Sequence, residues 1–149
     1  MATERTLVLC KPDAVQRGLV GAIIARFECK GLKLVGLKML QVDENLASRH
    51  YAEHLEKSFY PDLRAFITSS PVVAMAIEGE NAVDVVRGLI GATNPQAAAA
   101  GTIRGDFGLD LTMNLVHGSD SLSSAERELA LFFTHSDAYD YELTMKVWT

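Results

Sequence analysis

The stretch Pro71–Glu78, PVVAMAIE, decides the fold, because it reads as a short buried strand between two helical segments. Before it, Asn45–Lys57 is polar and helix-prone, and Pro61–Thr68 is expected to form a second short helix. After it, Asn81 with Asp84 three residues on opens a helix that runs to about Ile90, before Gly91. Working back toward the N-terminus, Leu32–Val42 alternates loosely as a strand. Leu19–Lys30 repeats apolar residues at Val20, Ile23, Ile24 and Phe27, a helical spacing that Gly31 stops. Thr6–Cys10 is an apolar, strand-like run broken by Lys11-Pro12-Asp13. Toward the C-terminus, a long irregular stretch from Gly91 to Thr112 leads to a last strand at Met113–Val116. Ser123 and Glu126 then form a capping box for the helix carrying Leu129. The tail to Trp148 gives no clear signal.

The order is β-α-β, a helical insertion, β-α, a long loop and β. With the insertion set aside it becomes β-α-β-β-α-β, a ferredoxin-like α+β sandwich with a four-stranded antiparallel sheet and flanking helices. No linker or internal repeat divides the chain, and its 149 residues suit one domain, 1–149.

Composition narrows the function. Hydrophobic content is 48% and charged content 22%, ordinary for a globular protein. A formal net charge of −5 argues against non-specific binding to nucleic acid or membrane, yet leaves room for a small anion met by a local cluster of cations. Cys10 and Cys29 form no CxxC pair and suit a reducing compartment. The N-terminus is not a secretory signal, and the longest uncharged stretch, Gly88–Ile103, is interrupted by Pro95 and by glycines. A soluble, cytoplasmic protein is expected.

Candidate chemistry gathers at element ends. Pro12 should end the first strand and present Lys11 there. Arg87 lies near the end of the Asn81 helix, and Arg104 sits within the Gly-rich GTIRGDFG of the long loop. If they converge with Thr93 they form a phosphate clamp; separately, each reads as an ordinary surface cation. NLVHGSD, residues 114–120, ends a strand-like piece on His117. That imidazole is either a nucleophile, held by a carboxylate such as Glu128 on the next helix, or a histidine without a chemical task. His50-Tyr51-Ala52-Glu53-His54 matches the H-x-x-E-H zinc-peptidase pattern, with Glu126 or Glu128 as a third ligand. Walker, GxGxxG, HRD, DFG and GxSxG motifs are absent.

Along nearly its whole length the chain resembles the nucleoside diphosphate kinases. The resemblance is carried by ERTLVLCKPDAVQRGLVG, RHYAEHLEKSFYPDL, SSPVVAMAIEG, GATNP, GTIRGDF and, most specifically, NLVHGSDSLSSAERE. It implies γ-phosphoryl transfer from a nucleoside triphosphate to a diphosphate, with His117 as the phosphate-accepting nucleophile and Glu128 holding its other nitrogen. It implies Lys11 and Asn114 as contacts to phosphate and sugar hydroxyl, and Arg87, Thr93 and Arg104 as the phosphate clamp. Phe59 is similar to the family's base-stacking aromatic, and Leu111 to the apolar residue on the base's other face. Tyr51 resembles a tyrosine packed beside the catalytic imidazole, and Ser119 a serine in its hydrogen-bond network. Mg²⁺ would ride mainly on the nucleotide phosphates, with no dedicated protein ligand set and with Asp120 or Glu53 within reach through water. A hexamer or tetramer is implied. Ala99 and Ala100 stand where the family often has lysine and proline, and Ala92 where it often has glutamate, which bears on loop and assembly.

Two rival readings come from other classes: a zinc hydrolase built on His50 and His54, and a nucleotide-binding module without activity. The second need not keep His117, Glu128 and all of Lys11, Arg87 and Arg104, and the chain keeps every one.

Overall fold

The computed structural model describes residues 2–149. Strands β1 (Thr3–Cys10), β2 (Lys33–Leu40), β3 (Val72–Glu80) and β4 (Val116–Gly118) form one sheet in the order β2-β3-β1-β4, with every neighbouring pair antiparallel. This is the expected ferredoxin-like arrangement. The PVVAMAIE run falls in β3, an interior strand, and Val72–Ile77 are all buried. Val73, Met75 and Ile77 face one apolar cluster and Val72 and Ala74 the other. An unbroken apolar run is what a strand covered on both faces requires.

The helices are α1 (Pro12–Gln16), α2 (Val20–Lys30), α3 (Glu44–His50), α4 (Tyr60–Ile67), α5 (Ala82–Ile90), α6 (Ile103–Phe107) and α7 (Leu122–Phe132). Ile23 and Phe27 of α2 and Val86 and Ile90 of α5 fill the first cluster. Ala47 of α3, Ile67 of α4 and Phe132 of α7 fill the second, so the helical insertion supplies much of the sheet's other cover.

Several expectations change in detail. The polar segment Asn45–Lys57 is not one helix: α3 ends at His50, Tyr51 leaves the helical region (ψ 31°), and Ala52–His54 forms a separate 3₁₀ turn. The Gly91–Thr112 stretch is not structureless, since it holds α6 and a 3₁₀ turn at Pro95–Ala97. Thr102 caps α6 by accepting from the Gly105 amide at 3.0 Å, and a Cβ on Gly105 would lie 2.0 Å from the Ala99 carbonyl oxygen, so only glycine closes this turn. The cap of α7 lies two residues before Ser123: it is Ser121, accepting from the Ser124 amide at 3.1 Å. Asn81 stands before α5 in a left-handed conformation (φ 53°), and the Val83 amide is instead capped by Glu4 from β1 at 3.2 Å. The last strand begins at Val116 rather than Met113, because Leu115 has φ 74° and breaks the extended run. The tail lies along the edge strand β2, where the Tyr139 amide donates to the Val35 carbonyl at 2.8 Å.

Candidate active site

Pro12 ends β1 as its chemistry requires, and Lys11 is left at the strand end, 7% exposed. Its backbone amide donates to the Leu115 carbonyl at 2.8 Å. Its Nζ donates to the Thr112 carbonyl at 3.1 Å and to Oδ1 of Asn114. Asn114 in turn donates through Nδ2 to the Thr93 carbonyl at 3.0 Å, tying three candidate residues into one chain of hydrogen bonds. The segment is bent by a tight turn: the Val116 amide donates to the Asn114 carbonyl at 2.9 Å across Leu115 with its positive φ. This three-residue turn is strained for a non-glycine residue. Oδ2 of Asp13, on α1, accepts from the Leu115 amide at 3.0 Å and holds it.

The turn delivers the chain into β4, where His117 pairs with Leu9 of β1. His117 is therefore within the strand, not at its end. Helix α7 packs against β1 and brings Glu128 to the imidazole, with Oε1 2.6 Å from Nε2 of His117. The same oxygen accepts from Oγ of the fully buried Ser119 at 2.9 Å. Burial pushes the Glu128 carboxyl upward, but the hydrogen bond to His117, the His117 and His50 charges and the Ser119 hydroxyl outweigh it, and the group stays ionised below its ordinary range. With Nε2 engaged, Nδ1 is the ring nitrogen left for chemistry.

His50, at the end of α3, meets His117 edge-on with ring centroids 4.7 Å apart, and Tyr51 meets His50 at 4.6 Å. His50 is buried with no hydrogen-bond partner on either ring nitrogen. Burial first, then His117, Arg127 and His54 against the opposing Glu128, push its pKa down to about 3. Arg127 of α7 donates to the Arg49 and His50 carbonyls at 3.1 and 3.4 Å and locks α3 to α7. Burial raises the Tyr51 phenol, with Glu128 and Tyr60 adding to it, so it stays neutral.

Arg104 is 6% exposed on α6 and donates to the carbonyls of Asn114, Gly91 and Val116 at 3.2, 3.2 and 2.7 Å. Burial and the charge of Arg87 lower its pKa to about 10, which leaves it cationic near neutrality. Arg87, on α5, donates to the Gly118 carbonyl at 3.3 Å. Burial, opposed by Asp13 and Asp110 and aided by Arg104, draws the Lys11 pKa down to about 8. Among the described residues none of these cations has a carboxylate within ion-pair distance, so their field projects into the space between them.

That space is a cleft of about 680 Å³. Every residue expected in the kinase site except Ser119, which is hydrogen-bonded to Glu128, lines it, and Glu126 does not. Phe59, at the start of α4, and Leu111 are the half-exposed apolar members, 49% and 59% exposed. The zinc-peptidase pattern does not form: His54 is on its own turn, and among the described residues the metal-capable cluster is His50, His117 and Glu128. Sequence reasoning missed two site-building residues, Asp13 and the His50 ring as a neighbour of His117. Only the position of Asp13 directly after Lys11-Pro12 hinted at the first.

Proteins similar to this chain are known. A nucleoside diphosphate kinase family model matches residues 4–138. Nucleoside diphosphate kinases of Staphylococcus epidermidis and Archaeoglobus fulgidus are 59% and 58% identical over 97% of this chain, covering 97% and 96% of their own lengths. The structure of a halophilic nucleoside diphosphate kinase from Halobacterium salinarum in complex with CDP superposes with a TM-score of 0.96, at 53% identity, covering 99% of this chain and 98% of that one. A cationic cleft around a carboxylate-held histidine, on this fold and with these likenesses end to end, identifies the chain as a member of the nucleoside diphosphate kinase family.

Proposed function

We propose that the enzyme moves the γ-phosphoryl group from a nucleoside triphosphate to a nucleoside diphosphate by a ping-pong route through phospho-His117. The observation that carries this reading is the His117–Glu128 contact at 2.6 Å, made inside a cleft that also holds Lys11, Arg87 and Arg104. Nδ1 attacks the γ-phosphorus; the new N–P bond forms as the bond to the β-phosphate oxygen breaks, and the diphosphate leaves. A second diphosphate then takes the phosphoryl group by the reverse step, and the free imidazole returns. Two similar half-reactions replace one difficult displacement.

Glu128, fixed by Ser119, holds Nε2 and so keeps Nδ1 in the nucleophilic form. Tyr51 steadies the aromatic packing behind the imidazole. Arg87, Arg104 and Thr93 take the phosphates, and Lys11 with Asn114 takes phosphate and sugar hydroxyl. The base lies between Phe59 and Leu111; stacking is indifferent to base identity because every base has a π-face, so all common nucleotides serve.

Mg²⁺ carried by the nucleotide phosphates would neutralise their charge. Asp120 on the cleft wall suits a hydrated ion: its hydrogen bond from Ser124, against slight burial and with help from Ser121, Arg87 and His117, keeps it ionised below the ordinary carboxylate range. Glu53 lines the same cleft.

The whole chain, 1–149, serves as one such domain, in the cytoplasm, consistent with free thiols at Cys10 and Cys29. Among the described residues no helix is long and apolar enough to cross a membrane. Assembly as a hexamer or tetramer would cover the apolar edge of β2, where Leu37 and Met39 are 51% and 62% exposed. Ala99 and Ala100 shape the loop that would join such contacts.

Intact mass after brief mixing with Mg·ATP tests the reading. One added phosphate, stable in alkali, lost in acid and removed by a second diphosphate, is the expected result. Bound nucleotide without any added phosphate would overturn it.

A further inference from the structure

We propose that His50, His117 and Glu128 form an inhibitory binding site for a borderline divalent transition ion, Zn²⁺ above all, which captures the nucleophilic imidazole. The inhibitory consequence rests on the reading of His117 as nucleophile; the binding does not. One donor atom from each of the three residues lies within 4.8 Å of the other two. A tetrahedral zinc with bonds of about 2.0–2.2 Å holds its donors roughly 3.3 Å apart, so small side-chain rotations close the set. Two imidazoles and a carboxylate match the preference of zinc and differ from the all-oxygen, octahedral preference of Mg²⁺. Mg²⁺ carried by the nucleotide therefore does not compete for this site.

The second, independent observation is His50. It is 5% exposed, lines the cleft, and both of its ring nitrogens are buried without a hydrogen-bond partner. A buried polar group in that state is rare and calls for a partner the chain itself does not provide. The ion displaces the hydrogen bond between Glu128 and His117, and the cleft leaves a fourth position open to water. Held on Nε2, the ion draws electron density from the ring and makes Nδ1 a poorer nucleophile, so metal binding opposes phosphoenzyme formation.

The test titrates nucleotide-free protein with Zn²⁺ by calorimetry and with Co²⁺ by visible absorption. A single equivalent should bind, with the intense absorption of a four-coordinate cobalt site. Loss of an outer-shell partner alone weakens metal sites by about 10–100-fold, so His50→Gln and His117→Gln should each cost at least about 100-fold. His54→Gln should bind as the wild type does. No saturable binding, or binding that survives both substitutions, overturns the site. His117 is partly exposed, so His117→Gln carries the test if His50→Gln fails to fold. Phosphoenzyme formation from Mg·ATP, measured by mass on the metal-free sample, separates the two readings. Phosphorylation without zinc binding sinks the metal site alone; zinc binding without phosphorylation sinks the nucleophile and leaves the metal site standing.

Discussion

Nη2 of Arg104 donates to the Val116 carbonyl at 2.7 Å, so the guanidinium proposed to meet phosphate also fastens the residue before His117. Its Nε and Nη1 hold the Asn114 and Gly91 carbonyls as well, closing the strained turn and the start of the long loop onto α6. Arg104→Lys keeps the charge and loses the fork. It should lower kcat by about 10²–10³-fold, as the loss of a preorganised donor does. Unfolding free energy should fall by about 2–4 kcal/mol, because buried carbonyls lose charged donors. Denaturant melts and steady-state kinetics on one preparation check both; an inactive variant of unchanged stability would mean that the brace contributes nothing.

Glu128 and Ser119 separate orientation from binding. Glu128→Gln preserves shape but removes the charge that fixes the His117 tautomer. We expect kcat to fall by about 10²–10⁴-fold while nucleotide affinity changes little. Ser119→Ala leaves the carboxylate less firmly held and should cost about 10-fold. Single-turnover phosphorylation resolves the two, and equal losses would place Ser119 in a role other than holding Glu128.

Lys11 predicts an alkaline limb. Its charge fades as pH rises through about 8, so kcat/KM for the nucleotide should fall above that point. Unfolding does not account for the fall: between about 8 and its ordinary 10.5 the unfolded chain binds a proton that the native one lacks, so this group makes stability rise with pH there. Lys11→Gln should give low kcat/KM and a flat profile across pH 7–9. A limb that persists in the variant would assign it to another group.

The sequence made the sheet and its partners legible where the pattern is long and periodic. β3 stands out as an apolar run, and α2 and α5 as helices with a regular apolar face. The failures cluster where a tertiary contact overrides a local signal. Glu4, about eighty positions away in the chain, caps α5 in place of Asn81. Asp13 holds Leu115 in a conformation that no propensity predicts, and so moves the start of β4. Helices α1 and α6, five residues each, are too short to show a period, although Pro12 at the first turn of α1 was a usable cue. In the site, Lys11 and Arg87 were legible because each lies at or near an element end, and His117 because the NLVHGSD motif marks it. The His50–His117 pair was not, since only the docking of α3 on α7 brings the two rings together.

His50 gives the last prediction, on acid stability. Its folded-state pKa, about 3, lies below the ordinary 6.5. Above pH 6.5 neither state binds the proton. Between 6.5 and about 3 the unfolded chain binds it and the native chain does not, so stability falls as pH falls, by up to about 1.4 kcal/mol per unit. Glu128 adds to this only below its ordinary range near 4.5, which leaves pH 6.5–5 as the window where His50 acts without it. His50→Phe keeps a ring against Phe132 and His117 and removes two unpartnered nitrogens. Replacing an unsatisfied polar group by an apolar one of similar shape is neutral or stabilising. The variant should therefore match or exceed the wild type at pH 8 and exceed it by about 2 kcal/mol more at pH 5. Chemical denaturation at both pH values measures the difference, and parallel curves for the two proteins would show that His50 is protonated in the native state.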